Sequence, residues 1–250
     1  MIPVDSLLYK IDQKLNKLST NAHQQIQLED KILALNEAQI KLIKQKVDGI
    51  AVANGMGMDS FKKRYEDLQS LVVAYNDGVL PLTLADPILN RWAANVHALE
   101  PKYMFYVDSY ILADKGRCTD RQIWINRDLA KHGDLQFIVN NIHYKPSFEY
   151  QETFNWLSSD ELSIFTDGTF TPTELKLDYI RKPAYIHNAQ DFLPTQSYTL
   201  PNGTVLVGTQ NCELPEHTHR EIVDIAVLIT TGNLQIPDYQ IKQAKMNLNN

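Results

Sequence analysis

The sequence of 250 residues predicts an α+β fold with an N-terminal long-helix hairpin, a mainly antiparallel β middle portion and a C-terminal helix. Between Asp5 and Asp48 there is no Pro or Gly, and apolar residues recur three and four positions apart, which is typical of amphipathic helices. From about Tyr103 to Val207, aromatic and β-branched runs favour strands. Helical spacing returns from about Pro215 to Thr230.

The N-terminal region predicts two helices separated by a break. The first carries an apolar stripe formed by Leu8, Ile11, Leu15 and Leu18. Ser19-Thr20-Asn21 offers capping side chains, so we expect the chain to turn there. A second helix of roughly 27 residues then runs to Gly49, which is a plausible C-terminal stop.

The second helix has two apolar rows, one formed by Ile26, Leu33, Ile40 and Val47 and the other by Leu28, Ile32, Leu35 and Leu42. Positions 26 and 28 differ by about 200° around a helix, so the rows lie on opposite sides. A helix with two apolar faces needs two partners. We therefore predict that these eight residues form an assembly interface, with one row packed on its own subunit and the other on a neighbouring chain.

The middle of the chain contains further helix and strand signals. A short helix is predicted from Ser60 to Ala74, and another after Asp86-Pro87. Two dipeptides, Asp167-Gly168 and Asn202-Gly203, predict tight hairpins. The predicted strands are residues 103–112, 122–126, 135–140, 162–166 and 175–180.

We expect two domains, residues 1–53 as a helical hairpin that serves assembly and residues 54–250 as an α+β structural domain. The composition, with 44% hydrophobic and 22% charged residues, is that of a folded globular protein. The two cysteines, Cys118 and Cys212, follow no disulfide-framework spacing, which favours folding in a reducing cytoplasm. No apolar run is long enough for a membrane span, and a net charge of -6 without a basic cluster argues against tight DNA binding.

Two short segments are candidates for a catalytic or a metal-binding site. Phe165 to Phe170 resembles the aspartate motif of haloacid-dehalogenase-type phosphatases, but Phe165 stands where that chemistry needs its nucleophilic carboxylate. Cys212, His217 and His219 could in principle hold Zn²⁺, although their spacing matches no standard zinc pattern. The interpretation favoured here is a helix start at Pro215, with no metal or cofactor and no catalytic residues.

A more specific signal lies in three strings that follow one another along the chain. These are Tyr179-Ile180-Arg181-Lys182-Pro183, Cys212-Glu213-Leu214-Pro215-Glu216 and Ile222-Val223-Asp224-Ile225-Ala226-Val227. Over about residues 100 to 230 the chain resembles virion structural proteins of crAss-like bacteriophages. The resemblance implies a non-catalytic ring or adaptor protein, stacked in the head-to-tail neck between portal and tail.

The resemblance also implies partners and a location. The expected partners are further copies of the chain in a ring, for which twelvefold symmetry is one option, together with the portal and adjacent neck or tail ring proteins. DNA would pass through the channel without specific binding, and the acidic balance agrees with that. Two alternatives stay open: an enzyme of hydrolase type whose active site is assembled from distant residues, and a monomeric scaffold or adaptor.

Overall fold

The computed structural model divides the chain into two compact units, each considered by itself. The helical unit comprises Met1–Ser70 and Pro183–Asn250, and the β unit comprises Leu71–Lys182. The structure describes residues 3–16, 26–48, 66–74, 79–116, 118–125, 137–138, 141, 143–158, 160–192, 195–200 and 202–233.

The described helices are α1 (Val4–Asn16), α2 (Leu28–Asp48) and α3 (His219–Asn233), with short 3-10 helices at Gln69–Leu71, Val96–Ala98, Ala189–Asp191 and Glu216–Thr218. The strands are β1 (Val72–Val73), β2 (Val79–Pro81), β3 (Thr83–Asp86), β4 (Arg91–Asn95), β5 (Tyr103–Lys115), β6 (Cys118–Ile125), β7 (Glu152–Thr153), β8 (Asn155–Ser158), β9 (Glu161–Phe165), β10 (Thr171–Arg181), β11 (His187–Asn188), β12 (Ser197–Thr199), β13 (Val205–Val207) and β14 (Thr209–Gln210).

Helix α3 lies at the centre of the helical unit. The sequence predicts one apolar face on it, but buried side chains occur around most of its circumference: Ile222, Val223, Ile225, Ala226, Val227, Leu228, Thr230 and Thr231. A helix that is apolar on most sides must be covered by other elements. Both α1 and α2 pack against α3, and they contact each other much less.

The predicted N-terminal helices are present as α1 and α2. Leu8, Ile11 and Leu15 of the first stripe are buried, whereas Leu18 and the predicted break at Ser19-Thr20-Asn21 lie outside the described residues. Because each helix packs chiefly on α3, the N-terminal pair is one part of a three-helix arrangement completed by the C-terminal segment. The helical unit therefore combines both ends of the chain and does not divide at the predicted boundary after residue 53.

The β unit contains two sheets. One has the order β1-β10-β5-β6-β7, with β2 also paired to β10, and the other has the order β3-β4-β9-β8. The described strand pairs are antiparallel except β6 with β7. Side chains from both sheets, among them Ile111, Leu177 and Ile164, join one apolar core. The predicted α+β class with a mainly antiparallel middle portion is confirmed.

The helix predicted after Asp86-Pro87 is wrong, because this segment is a β-hairpin. The Asp86 carboxylate accepts hydrogen bonds from the backbone N–H groups of Ile88 (2.8 Å) and Leu89 (3.3 Å), which stabilises a turn between β3 and β4. Trp92 then pairs with Ile164 of β9. Sheet pairing with a distant strand overrides a spacing that resembles a helix over this short stretch.

The hairpin predicted at Asp167-Gly168 is also wrong. This dipeptide joins β9 to β10, which belong to different sheets. Its turn chemistry is nevertheless present, because Gly168 has a φ of +81° and the Asp167 carboxylate accepts a hydrogen bond from Thr169 N (2.8 Å). The Asp167-Gly168 dipeptide therefore indicates a turn, but it does not indicate which strands pair with β9 and β10.

The other turn and boundary predictions have mixed outcomes. The Asn202-Gly203 hairpin is confirmed, since β12 and β13 pair antiparallel and Leu200 N donates to Thr204 O (2.9 Å). The helix predicted to reach Ala74 ends sooner, because Val72 and Val73 form β1 against β10. In the strand predicted at 135–140, the described residues Phe137 and Ile138 are helical.

Asn36 ties α2 to the C-terminal part of the helical unit. Its amide nitrogen donates to Ile186 O (2.8 Å), and its amide oxygen accepts from Ile186 N (2.8 Å). The same nitrogen also donates to Ile32 O one turn earlier (2.8 Å). The buried Asn36 side chain thus bonds to both backbone polar groups of Ile186, as the backbone of a neighbouring strand would. These bonds fix the position of α2 along the chain segment that leads into β11.

Replacing Asn36 by Ala should destabilise the helical unit by about 2–3 kcal/mol, because the buried N–H and C=O of Ile186 would lose their partner. The free energy of unfolding can be measured by urea titration with circular dichroism. Gln13→Ala is the matched control, since it truncates an exposed amide side chain in α1. A loss for Asn36→Ala no larger than that of Gln13→Ala would contradict this role.

Candidate assembly surface

Helix α2 (Leu28–Asp48) presents its two predicted apolar rows to different surroundings. In one row Ile32, Leu35 and Leu42 are buried within the chain, and Leu28 is half-buried at the helix start. This row faces the interior that α2 shares with α3. Three of the eight residues predicted for the assembly interface, Ile32, Leu35 and Leu42, are thus interior residues of the subunit and are not accessible to a second chain.

The other row lies on the outward side of α2. Leu33 is 49% exposed, and Ile26, Ile40 and Val47 are half-buried. Exposed charged residues flank this row: Glu29, Asp30, Glu37, Lys41 and Lys44. The outward row of α2, meaning Ile26 just before the helix together with Leu33, Ile40 and Val47 on it, is the partly exposed apolar row that a second chain could cover.

The histidines of the Cys212–His219 segment bind other partners. His217 Nε2 lies 2.6 Å from Asp67 Oδ1, whereas buried His219 bonds through Nε2 to Leu214 O (2.9 Å). Burial lowers the pKa of His219, which disfavours its charged form. Sequence spacing brings these histidines close along the chain, but each has its own hydrogen bond.

Cys212 is fully buried, and burial raises the pKa of its thiol to about 11. A thiol with this pKa stays protonated at neutral pH. Among the residues that the structure describes, no group of three or more His, Cys, Asp or Glu side chains is placed to hold a metal ion.

Asp67 is the buried centre of a partly exposed ion cluster that sequence reasoning did not identify. Its side chain is 2% exposed and bonds to Lys46 Nζ (2.9 Å) and to His217; Lys46 also pairs with Glu221 (2.9 Å). Burial would raise the pKa of Asp67, but the hydrogen bonds from Lys46 and His217 outweigh it and lower that pKa. The cluster therefore holds the end of α2 to the start of α3.

The strongly shifted groups of the β unit are tyrosines. Burial raises the pKa values of Tyr103 and Tyr106 to about 12, and the Tyr106 hydroxyl lies 2.8 Å from Ser109 Oγ. These phenols remain protonated at neutral pH, and Tyr106 and Tyr103 pack against the apolar core. This arrangement is typical of a structural hydrogen bond. The enzyme alternative stays a prediction.

No protein-family model matches the chain, and no curated protein matches it in sequence. The resemblance to virion proteins of crAss-like phages therefore stays a prediction. Among the described residues, no helix has both the length and the apolar character that crossing a membrane would require.

Substitutions of Leu33 and Leu35, which lie in different rows of α2, test the two rows separately. Leu35→Asp should unfold the helical unit, because an unpaired charge would be buried at a site with 0% exposure. Leu33→Asp should change the free energy of unfolding by less than about 1 kcal/mol, because that side chain is half exposed. Circular dichroism during thermal melting measures both, and similar losses would contradict the division of the rows.

The Asp67 cluster predicts a defined pH dependence. Its contribution to stability should be complete above the ordinary Asp pKa of 3.8 and be lost as the pH falls through the lowered folded-state value. At neutral pH, Asp67→Asn should cost about 3 kcal/mol, since it leaves a partly buried lysine short of a partner.

Glu221→Gln is the control for this cluster, because the Glu221 side chain is 45% exposed and should contribute less than about 1 kcal/mol. Urea unfolding of the three proteins at several pH values provides the measurement. Equal stability of Asp67→Asn and the unmodified chain at pH 7 would show that the cluster is not stabilising.

Proposed function

We propose that the chain is a structural, non-catalytic subunit of a bacteriophage particle, forming a ring or adaptor in the head-to-tail neck around the DNA channel. The observation that carries the proposal is the division of α2, with one apolar row buried in its own subunit and the outward row only partly covered, since Leu33 is 49% exposed. Partly exposed apolar rows on folded proteins can mark contacts with other chains.

The construction of the helical unit supports an assembly role. Both termini of the chain contribute to it, and α2 is held in place by Asn36 and by the Asp67 cluster. A rigid helix can offer a preorganised surface, so ordering that surface costs little on association. The outward row is therefore a better candidate for a specific contact than an unsupported loop would be.

The charge balance is compatible with a position near passing DNA. The net charge of -6 disfavours retention of a polyanion, because tight binding to phosphates needs clustered cations. A ring also requires a head-to-tail contact between neighbours, since only such a contact closes into cyclic symmetry. Because one row of α2 is interior, this helix cannot supply both of the lateral surfaces that a ring subunit needs.

A mass measurement tests the proposal. The purified chain, alone or mixed with the portal protein, should form a large homo-oligomer in light scattering after size exclusion, with ring-shaped class averages in cryo-electron microscopy. Leu33→Asp should remain folded and lose this assembly, whereas Gln13→Ala should keep it. A chain that stays monomeric at high concentration in both samples would instead support the monomeric scaffold or adaptor.

A further inference from the structure

Helix α2 carries exposed charges that are unevenly distributed along the outward row. Glu29 and Asp30 lie near its start, and Lys41 and Lys44 lie in its second half. Negative charge in a first turn compensates the helix dipole, and so does positive charge in a last turn. Lys41 and Lys44 precede the last turn, where Lys46 already stands, so the dipole does not account for them.

These outward charges are distinct from those that hold the helical unit together. Lys31 pairs with Asp12 (2.7 Å), and Lys46 pairs with Asp67 (2.9 Å), both within the subunit. Across the described part of the chain, Glu29, Asp30, Lys41 and Lys44 have no ion-pair partner. The outward side of α2 thus combines an apolar row, an acidic N-terminal end and a basic C-terminal half.

We infer that the outward row of α2 pairs with the α2 of a second copy of this chain, in an antiparallel, two-fold arrangement. The inference rests on the proposed assembly role of that row and specifies its partner. Within α2 the row repeats every seven residues, so an antiparallel partner can place Leu33 of each copy against Ile40 of the other. Leu33 and Ile40 then each gain a neighbour from the other copy.

The charges decide the direction of the pair. In this antiparallel register, Glu29 and Asp30 of one copy lie within a turn of Lys44 and Lys41 of the other. A parallel pair would place acidic ends together and basic halves together, which is repulsive at both ends. Glu37 lies beside the two-fold axis, so the Glu37 side chains of the two copies are close together. Lys41 lies one turn away from Glu37 on the same helix.

The position of the axis gives a geometric test. With a rise of about 1.5 Å per residue, Glu29 lies roughly 11 Å from the axis, so two Glu29 positions are about 22 Å apart along the pair. Two Glu37 positions lie nearly level. A cysteine at 37 should therefore form a disulfide between copies, whereas a cysteine at 29 should not.

The experiment uses the full chain carrying Glu37→Cys, Glu29→Cys or Lys44→Cys, oxidised mildly and analysed on a non-reducing gel, with the unmodified chain as the background for its own cysteines. We expect a dimer band from Glu37→Cys, none above background from Glu29→Cys, and a mixed band when Glu29→Cys and Lys44→Cys are combined. Efficient self-linking of Glu29→Cys would overturn the antiparallel direction. Absence of a band from Glu37→Cys and from the mixture would overturn the contact between copies.

Charge reversal provides a readout that does not depend on cysteine chemistry. The double variant Glu29→Lys/Asp30→Lys should weaken self-association at least tenfold at low salt, and so should Lys41→Glu/Lys44→Glu. An equimolar mixture of the two should recover it, because each then offers what the other lacks. Circular dichroism confirms that these exposed substitutions leave the fold intact. Unchanged association in both variants would overturn the inference.

The outcomes for this contact and for the neck ring are separate. A closed ring in cryo-electron microscopy without a Glu37→Cys cross-link would overturn the two-fold contact and leave the ring proposal standing. A cross-linked dimer that never assembles further would support the contact and contradict the ring. A ring that also cross-links at position 37 would indicate two rings joined through α2.

Discussion

The burial of α3 is the constraint on which the helical unit depends. Its buried residues, from Ile222 to Thr231, surround most of the helix, so it cannot be stable at a surface. Helices α1 and α2 provide the cover, although they precede α3 by well over a hundred residues along the chain. The two ends of the sequence are thereby joined in one unit, and the β unit is formed by the segment between them.

Covering α3 also determines which side of α2 remains outward. The row that contains Ile32 and Leu35 is used for the interior, and the opposite row with Leu33 is left over. Apolar burial is not directional and would permit α2 to slide or rotate. The hydrogen bonds of Asn36 with Ile186 and the ion pair of Lys46 with Asp67 fix its position, because only one register satisfies these buried polar groups. The outward row thus has a defined geometry.

The sites considered for chemistry serve structural roles in this fold. Asp167 stabilises a turn by accepting from Thr169, and His217 contributes to the ion cluster of Asp67. Cys212 is an interior residue whose thiol is held protonated. The proposed function rests on a surface of the molecule. For that reason the outward row of α2 carries both the proposed neck role and the inferred contact between copies.

By itself, the sequence determined the class of the fold and the elements with strong local signals. The uninterrupted helical spacing before Asp48, the β-rich runs after Tyr103 and the Asn202-Gly203 turn are local properties, because periodicity and turn chemistry depend on neighbouring residues. The two rows of α2 were visible for the same reason. The local pattern did not reveal which row faces inward.

Only the tertiary structure decided the partners. Residues 83–95 form a hairpin whose strand β4 also pairs with β9, and Asp167-Gly168 joins two sheets because β10 pairs with β5. Asn36 and Asp67 could be noticed in the sequence only as polar residues near apolar ones. Their partners, Ile186 and His217, are about 150 residues away. Such contacts depend on the three-dimensional neighbourhood of each side chain, which the spacing of residues along the chain does not encode.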